Sequence, residues 1–274
     1  MCASDIETQR RRRCRFGTAI AVLGCFTGVA ASGAVDAPTN AIPRLHDGRP
    51  DLNGTWDNGG GIHFVQPTKN ADGSICVRDC GGAPPPREPP DRPKYKPELL
   101  AKVKQLDDQQ VKLDPGLRCQ PPGVPRIGPP DKIVQTSKEI VFLYDDITGP
   151  WFRVVKIGGK HVPDEIEESF FGTSVAHWEG DTLVVETIGF NTDTWLADDG
   201  AFHSDKLRVV ERLRRIGNTI EFDVLVEDPE VLAEPWRMRR RILELSKTDL
   251  PPPVPCHEQD LSHVVDGTHH DNLR

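Results

Sequence analysis

Three catalytic signatures that are easy to see in a sequence are missing from this chain. It has no glycine-rich phosphate loop, no G-x-S-x-G nucleophile elbow and no H-E-x-x-H, so nucleotide use, serine hydrolysis of the α/β kind and zincin chemistry lack support. It also lacks a basic excess: 34 Lys and Arg stand against 42 Asp and Glu, for a formal net charge of -8. The acids are scattered along the chain, which argues against a broad phosphate-binding surface and against nucleic acid as a partner. Beyond the N-terminal leader no run is long and apolar enough to cross a membrane, so the chain is not expected to span one. No remaining motif calls for a cofactor.

Residues 1–37 read as an address. A basic cluster, Arg10 to Arg13 with Arg15, leads into the apolar run Phe16 to Ala31, followed by small residues at Ser32, Gly33, Ala34 and Ala37. This is the pattern of a signal peptide cleaved after Ala34 or Ala37, and the run falls short of the ~20 residues a spanning helix needs. Val22-Leu23-Gly24-Cys25 loosely imitates a lipoprotein box, and the arginine cluster loosely imitates a twin-arginine signal; both match imperfectly. The expected location is periplasmic or secreted.

Removing that segment leaves Cys76, Cys80, Cys119 and Cys256. In an oxidising compartment two disulfides are the default, and spacing alone does not separate the three connectivities that four cysteines allow. The preferred reading pairs Cys76 with Cys80 and Cys119 with Cys256, the second tying the start of a strand-rich region to the end of the chain. A four-cysteine zinc site is the alternative, disfavoured because one C-x3-C and two remote singles do not make paired knuckles.

Residues 38–131 form a Pro/Gly-rich region, punctuated by Pro84 to Pro86, Pro89-Pro90 and Pro121-Pro122, that must be mostly extended wrap. One short helix is predicted over 97–110, where a proline opens the first turn and Leu99, Leu100, Val103 and Leu106 recur at helical spacing. From Lys132 the period changes to two. Strands are predicted at 132–136, 139–145, 151–157, 174–178, 182–189, 206–216, 219–227 and 236–245, with Thr55-Trp56 opening a ninth. An antiparallel up-and-down meander of this size avoids open edges by closing, so the fold class is all-β. A barrel with an interior cavity is expected over 132–250, followed by a polar tail, 251–274. The tail crowds His257, His263, His269 and His270 in a spacing that matches no recognised metal site.

The hairpin from Leu207 to Glu227 gives the sharpest register. With Gly217-Asn218 as a tight turn of two positive-φ residues, Arg214 opposes Glu221, Arg212 opposes Asp223 and Arg208 opposes Glu227 on one face. On the other face Leu213 opposes Phe222 and Val209 opposes Val226, and Glu211 falls among them, pointing inward. A lone carboxylate there needs a partner or a raised pKa. Arg240, in phase with Trp236, Met238 and Ile242, is the candidate. Glu211 is then either a general acid or base in a dry cavity or one half of a structural ion pair.

A second hairpin, read with Glu179-Gly180-Asp181 as its turn, places Ser174, Ala176, Trp178, Thr182, Val184, Glu186 and Ile188 on one face, with Ser174 opposite Glu186 and His177 on the reverse. His177 is a candidate proton carrier, against the plainer role of a satisfied structural histidine. His161 and His203 lie in loops where function often sits, and matter if they converge on one pocket.

Several segments together resemble a large family of secreted bacterial proteins: PDLNGTW at 50–56, CQPPGVPR at 119–126, HWEGDTLVV at 177–185, Val210-Glu211-Arg212 and Glu227-Asp228-Pro229. Gly158-Gly159-Lys160 departs from the Asp-Gly-Arg-like turn usual in that family, and Thr173 stands where a histidine is common. If those positions line the pocket, the resemblance implies that substrate or chemistry differs here. Gly54-Thr55-Trp56 ahead of a β meander also looks like the opening strand of lipocalin-like barrels, in which such a Trp packs under an Arg from a late strand, here Arg239 or Arg240. Barrels of that kind include carriers of apolar molecules and enzymes such as cyclases, isomerases and hydratases. The expected function is an exported barrel that binds a small apolar organic molecule, with or without cofactor-free lyase or isomerase (including cyclase) chemistry. In the catalytic version Glu211 moves the proton, Arg240 or His177 stabilises charge and Trp178 or Trp236 forms a stacking wall. Ser174, Glu186, His161 and His203 complete the substrate-binding set. The alternative is a non-catalytic periplasmic carrier.

Overall fold

The computed structural model describes residues 42–57, 68–69, 75–76, 91–162, 164 and 166–256. The leader, Cys80 with its expected bond to Cys76, and the C-terminal histidines lie outside the described residues. By its contacts the chain divides into Met1–Ala37 and a unit running from Pro38 to Arg274.

Strand β1 (Gly54–Asp57) is followed by a two-residue pair, β2 (Thr68–Lys69) and β3 (Ile75–Cys76). The expected helix is present: a 3-10 turn at Pro97–Leu99 runs into α1 (Leu100–Asp108), and a further turn, α2, occupies Gln110–Leu113. Leu99, Val103 and Leu106 pack on the core, whereas Leu100 remains exposed. The meander is β4 (Lys132–Gln135), β5 (Glu139–Asp146), β6 (Gly149–Ile157), β7 (Thr173–Glu179), β8 (Thr182–Ile188), β11 (Arg208–Ile216), β12 (Thr219–Glu227), β13 (Trp236–Arg237) and β14 (Arg241–Leu245). Between β8 and β11 the chain forms a small hairpin, β9 (Trp195–Ala197) and β10 (Ala201–Phe202), that the sequence did not announce. Its turn packs against α1 so closely that a Cβ on Gly200 would meet the Val103 carbonyl oxygen at 2.4 Å. Only glycine fits there, at φ +75.

The ring runs β4, β5, β6, β7, β8, β11, β12, β14 and β1 and returns to β4, nine strands in all, with the two-residue β13 paired to β12 alone. An odd number of strands cannot alternate direction all the way round. One neighbouring pair must therefore be parallel, and it is β6 with β7, joined at Lys156↔Val175 and Ile157↔Ala176. A parallel join cannot use a tight turn, so residues 158–172 form a long connection.

The β11–β12 register is the one the charges predict, from Arg208↔Glu227 to Arg214↔Glu221, with Glu211↔Val224 inside. Gly217 has φ 57, whereas Asn218 is not in the positive region. One positive φ, at the first central position, still makes a two-residue turn of the type II′ pattern, so the register survives. The same chemistry corrects the second hairpin. Gly180, with φ 59, and Asp181 are its two loop residues and Glu179 pairs with Thr182. That is one residue away from the expected turn, and with a side-chain period of two it turns β8 over. Leu183, Val185 and Thr187 face inward, and Ser174 meets Thr187, with their hydroxyl oxygens 2.9 Å apart, rather than Glu186.

A second phase slip lies between β13 and β14. Trp236 is buried, but across the irregular residues 238–240 the inward phase passes to Leu243, while Ile242 is 48 % exposed. Arg240 consequently points outward to Asp223, through two hydrogen bonds of 2.8 Å, and does not reach Glu211. Trp56 lies fully in the core with its Nε1 donating to the Leu52 carbonyl, and the arginine over its ring is Arg215, with Cζ 5.1 Å from the centroid, in place of Arg239 or Arg240.

Cys119 and Cys256 form the expected disulfide, which removes both from any zinc site. Close by, Asp114 is wholly buried and accepts two hydrogen bonds from Arg126, at 2.6 and 2.8 Å, and one from the Gly116 backbone. Arg126 also reaches Asp198 at 2.8 Å, so the last residue of CQPPGVPR ties the wrap to the β9–β10 turn. Among the described residues no helix is long and apolar enough to cross a membrane.

Candidate functional site: a buried ion cluster, a side pocket and a cleft at the broken strand

Glu211 points into the barrel as expected, and its partner is Arg153 of β6. The guanidinium Nη2 donates to both carboxylate oxygens, at 2.9 and 2.7 Å, and Nε donates to the Tyr144 hydroxyl at 2.9 Å. The Arg153 and Glu211 side chains are 2 % and 1 % exposed. Burial acts to lower the Arg153 pKa, but the Glu211 carboxylate and the Tyr144 oxygen more than offset it, and the guanidinium stays firmly charged. Burial likewise pushes the Tyr144 phenol up, so it remains a protonated hydroxyl. Phe171, from the connection between the parallel strands, stacks on Tyr144 with ring centroids 6.4 Å apart. Around the pair, Phe142, Val185, Val209 and Leu213 are 0 % exposed, so no water-sized void touches them. The expected interior cavity is absent at this level. One donor, Arg153 Nη1, has no hydrogen-bond partner among the described residues.

The other predicted residues separate into three places. His177 is outside the barrel, its side chain 58 % exposed, with Nε2 3.1 Å from Glu179. Trp178 is inside, with a buried indole N–H that has no hydrogen-bond partner among the described residues. His203 is buried and fully engaged: Nδ1 lies 2.8 Å from the Ser204 carbonyl, which can only accept, so Nε2 accepts from Thr194 at 2.7 Å. Burial lowers its pKa and keeps it neutral. His161 is near both Ser174 and Glu186, on the flank of the barrel, although those two do not pair with each other. His161 and Ser174 line a pocket of about 260 Å³ with Lys160 and Thr173, and Glu186 Oε1 is 3.6 Å from His161 Nε2. His161 and His203 do not meet in one pocket.

Trp236 belongs to a third place, which the strand pattern did not reveal. At the break between β13 and β14 a cleft of about 450 Å³ exposes the inward side of β12, with Phe222, Val224, Trp236 and Met238 in its lining and Arg126, Arg239 and Arg241 also contributing. Asp91 braces the break, accepting from Trp236 Nε1 at 2.8 Å and from the Arg239 backbone at 2.5 Å. Val224 is the cross-strand neighbour of Glu211, so the cleft ends one strand away from the buried ion pair. Sequence reading missed Arg153, Asp91 and Arg126. Of these only Arg126, as the end of a proline-rich segment, carried a signal. Among the described residues no group of His, Cys, Asp or Glu is arranged to hold a metal. No family model matches the chain and no curated protein matches it.

Proposed function

We propose that this is an exported binding protein, a carrier for a small, largely apolar organic molecule that it holds in the cleft at the β13–β14 break. The observation that carries the reading is the floor of that cleft. Phe222, Val224 and Trp236 are core side chains, yet they border an opening of about 450 Å³ whose rim carries Arg92, Arg126, Arg239 and Arg241 alongside Asp91 and Asp198. Apolar walls with a few polar groups at the edge are the usual build of a small-molecule site, and the volume lies within the ~300–1,000 Å³ of such sites. Export is supported by the leader pattern and by the Cys119–Cys256 disulfide.

Titration of the purified chain with a panel of aromatic and terpenoid compounds, followed by Trp fluorescence, tests this. Saturable quenching that is lost in Met238→Asp, with near-UV circular dichroism unchanged, is the expected result. Binding that is indifferent to Met238→Asp, or no binding by any compound, ends the proposal.

A second reading, cofactor-free lyase or isomerase (cyclase) chemistry with Glu211 moving the proton, has one observation in its favour. The Glu211 cluster keeps an unpartnered cationic donor, Arg153 Nη1, of the sort that stabilises developing negative charge. It requires the barrel to open, because Glu211 is 1 % exposed. Product mass spectra from the same panel decide it: turnover that stops in Glu211→Gln while binding persists would establish catalysis.

A further inference from the structure

The flank pocket, of about 260 Å³, is smaller than the cleft. Lys156, at the parallel join, and Lys160, in the connection that follows, both line it, and among the described residues neither has a hydrogen-bonding or ion-pair partner. In the same wall the His161 side chain is only 10 % exposed, and among the described residues neither ring nitrogen makes a hydrogen bond. Glu186 does not satisfy it. Its near oxygen is 3.6 Å away, outside hydrogen-bonding reach, and its other oxygen is taken by Arg208. Buried polar groups are ordinarily paired, so an orphaned imidazole beside two unpaired ammonium groups marks a place built for a partner that is negatively charged. The rest of the wall combines Thr173 and Ser174 with Gly172 and the apolar Val154, Val162, Ile166 and Val175. The volume, about 260 Å³, is below the ~300–1,000 Å³ of drug-sized sites, which limits the occupant to a short body.

We infer that this pocket is a binding site for a small organic carboxylate, separate from the cleft. The two lysines supply the charge, an N–H of His161 donates to one carboxylate oxygen, and Val162 and Val175 cover the hydrocarbon.

Benzoate is a suitable probe, because it joins one carboxylate to one small apolar ring. The full chain, isotopically labelled, is titrated with sodium benzoate while the His161 Cε1–Hε1 signal is followed, with benzamide and inorganic phosphate as controls and with Lys156→Gln and Lys160→Gln as variants. Both lysines are exposed, so neither substitution threatens folding. The expected result is a saturable shift of the His161 signal with benzoate, none with benzamide at the same concentration, and about fivefold to tenfold weaker binding in each variant. Three outcomes overturn the inference: equal response to benzamide, affinity unchanged in the Lys156→Gln, Lys160→Gln double variant, or no saturation by about 10 mM benzoate. Saturation by phosphate without benzoate binding overturns the carboxylate assignment.

Discussion

Two sets of arginine–carboxylate pairs lie on opposite faces of the same strand. Outside β11, Arg208 pairs with Glu186 and Glu227, Arg212 reaches Glu179 at 2.6 Å, and Arg214 stands 3.9 Å from Glu221. Their partners are not simply the residues directly opposite: Asp223, across from Arg212, is held by Arg240. Inside, Glu211 has one cation, Arg153, held from two sides and closed off from water. The outer set is in high dielectric and can exchange partners, so each member is worth ~0–1 kcal/mol. The inner pair has already lost its hydration, so removing either half strands a charge, at a cost of ~3–5 kcal/mol. The same chemistry therefore does two jobs: solvation and register outside, a single permitted arrangement inside.

The largest expected effect follows from that contrast. Glu211→Ala should lower unfolding free energy by ~3–5 kcal/mol in denaturant titrations, whereas the triple change Glu211→Leu, Arg153→Met, Tyr144→Phe should recover most of the loss, because it removes all three polar partners together. A triple variant no more stable than the single one would show that the cluster stabilises as a network. Next comes the disulfide, which spans a sequence separation of 137. Replacing Cys119 and Cys256 by Ser should cost ~2–5 kcal/mol, measured the same way, and the loss should be the same with or without the Glu211 change if the two regions are independent.

Asp131 lies between the two regimes, half-buried and, among the described residues, without a cation partner. Burial pushes its carboxyl up to about 6 against the opposing backbone N–H of Asp145, and the charges of Asp145, Asp146 and Asp57 add to the rise. Between about pH 4 and pH 6 the folded chain keeps a proton that the unfolded chain has lost, so this contribution to stability falls as pH rises through that window. Asp131→Asn should raise the melting temperature by a few degrees at pH 7.5 and leave it unchanged near pH 4; a gain at both would refute the titration. The smallest effect belongs outside: Arg212→Ala should change stability by less than ~1 kcal/mol, and by less still in 1 M salt.

Most of the barrel was legible because half-buried strands alternate and charges opposite one another fix a register. That logic placed β11 against β12 and turned Glu211 inward. It failed where alternation was interrupted or duplicated. Trp195, Leu196 and Ala197 are all buried, so β9 has no period to read. The slip at 238–240 reverses the phase expected to aim Arg240 at the core, and a turn one residue shorter than expected turns over β8. Arg153 was hidden for another reason. Phe152 and Val154, its outward neighbours, are 64 % and 46 % exposed, so both faces of β6 look apolar and an inward arginine looks like an outward one. Of the candidate site residues, Trp236 borders the cleft, His161 and Ser174 line the flank pocket, and Glu186 stands beside His161 without meeting Ser174.

The parity of the ring has a longer reach. Strands enter a meander as hairpins, two at a time, and adding or deleting a hairpin leaves an odd ring odd. The single parallel join is therefore a conserved quantity of the topology: it can migrate around the barrel but cannot be cancelled by such changes. Wherever it falls between strands that follow one another in the chain, a connection longer than a turn must lie over the wall beside it. Here that connection supplies His161 and Lys160 outside and Phe171 inside, so the flank pocket is a by-product of counting strands.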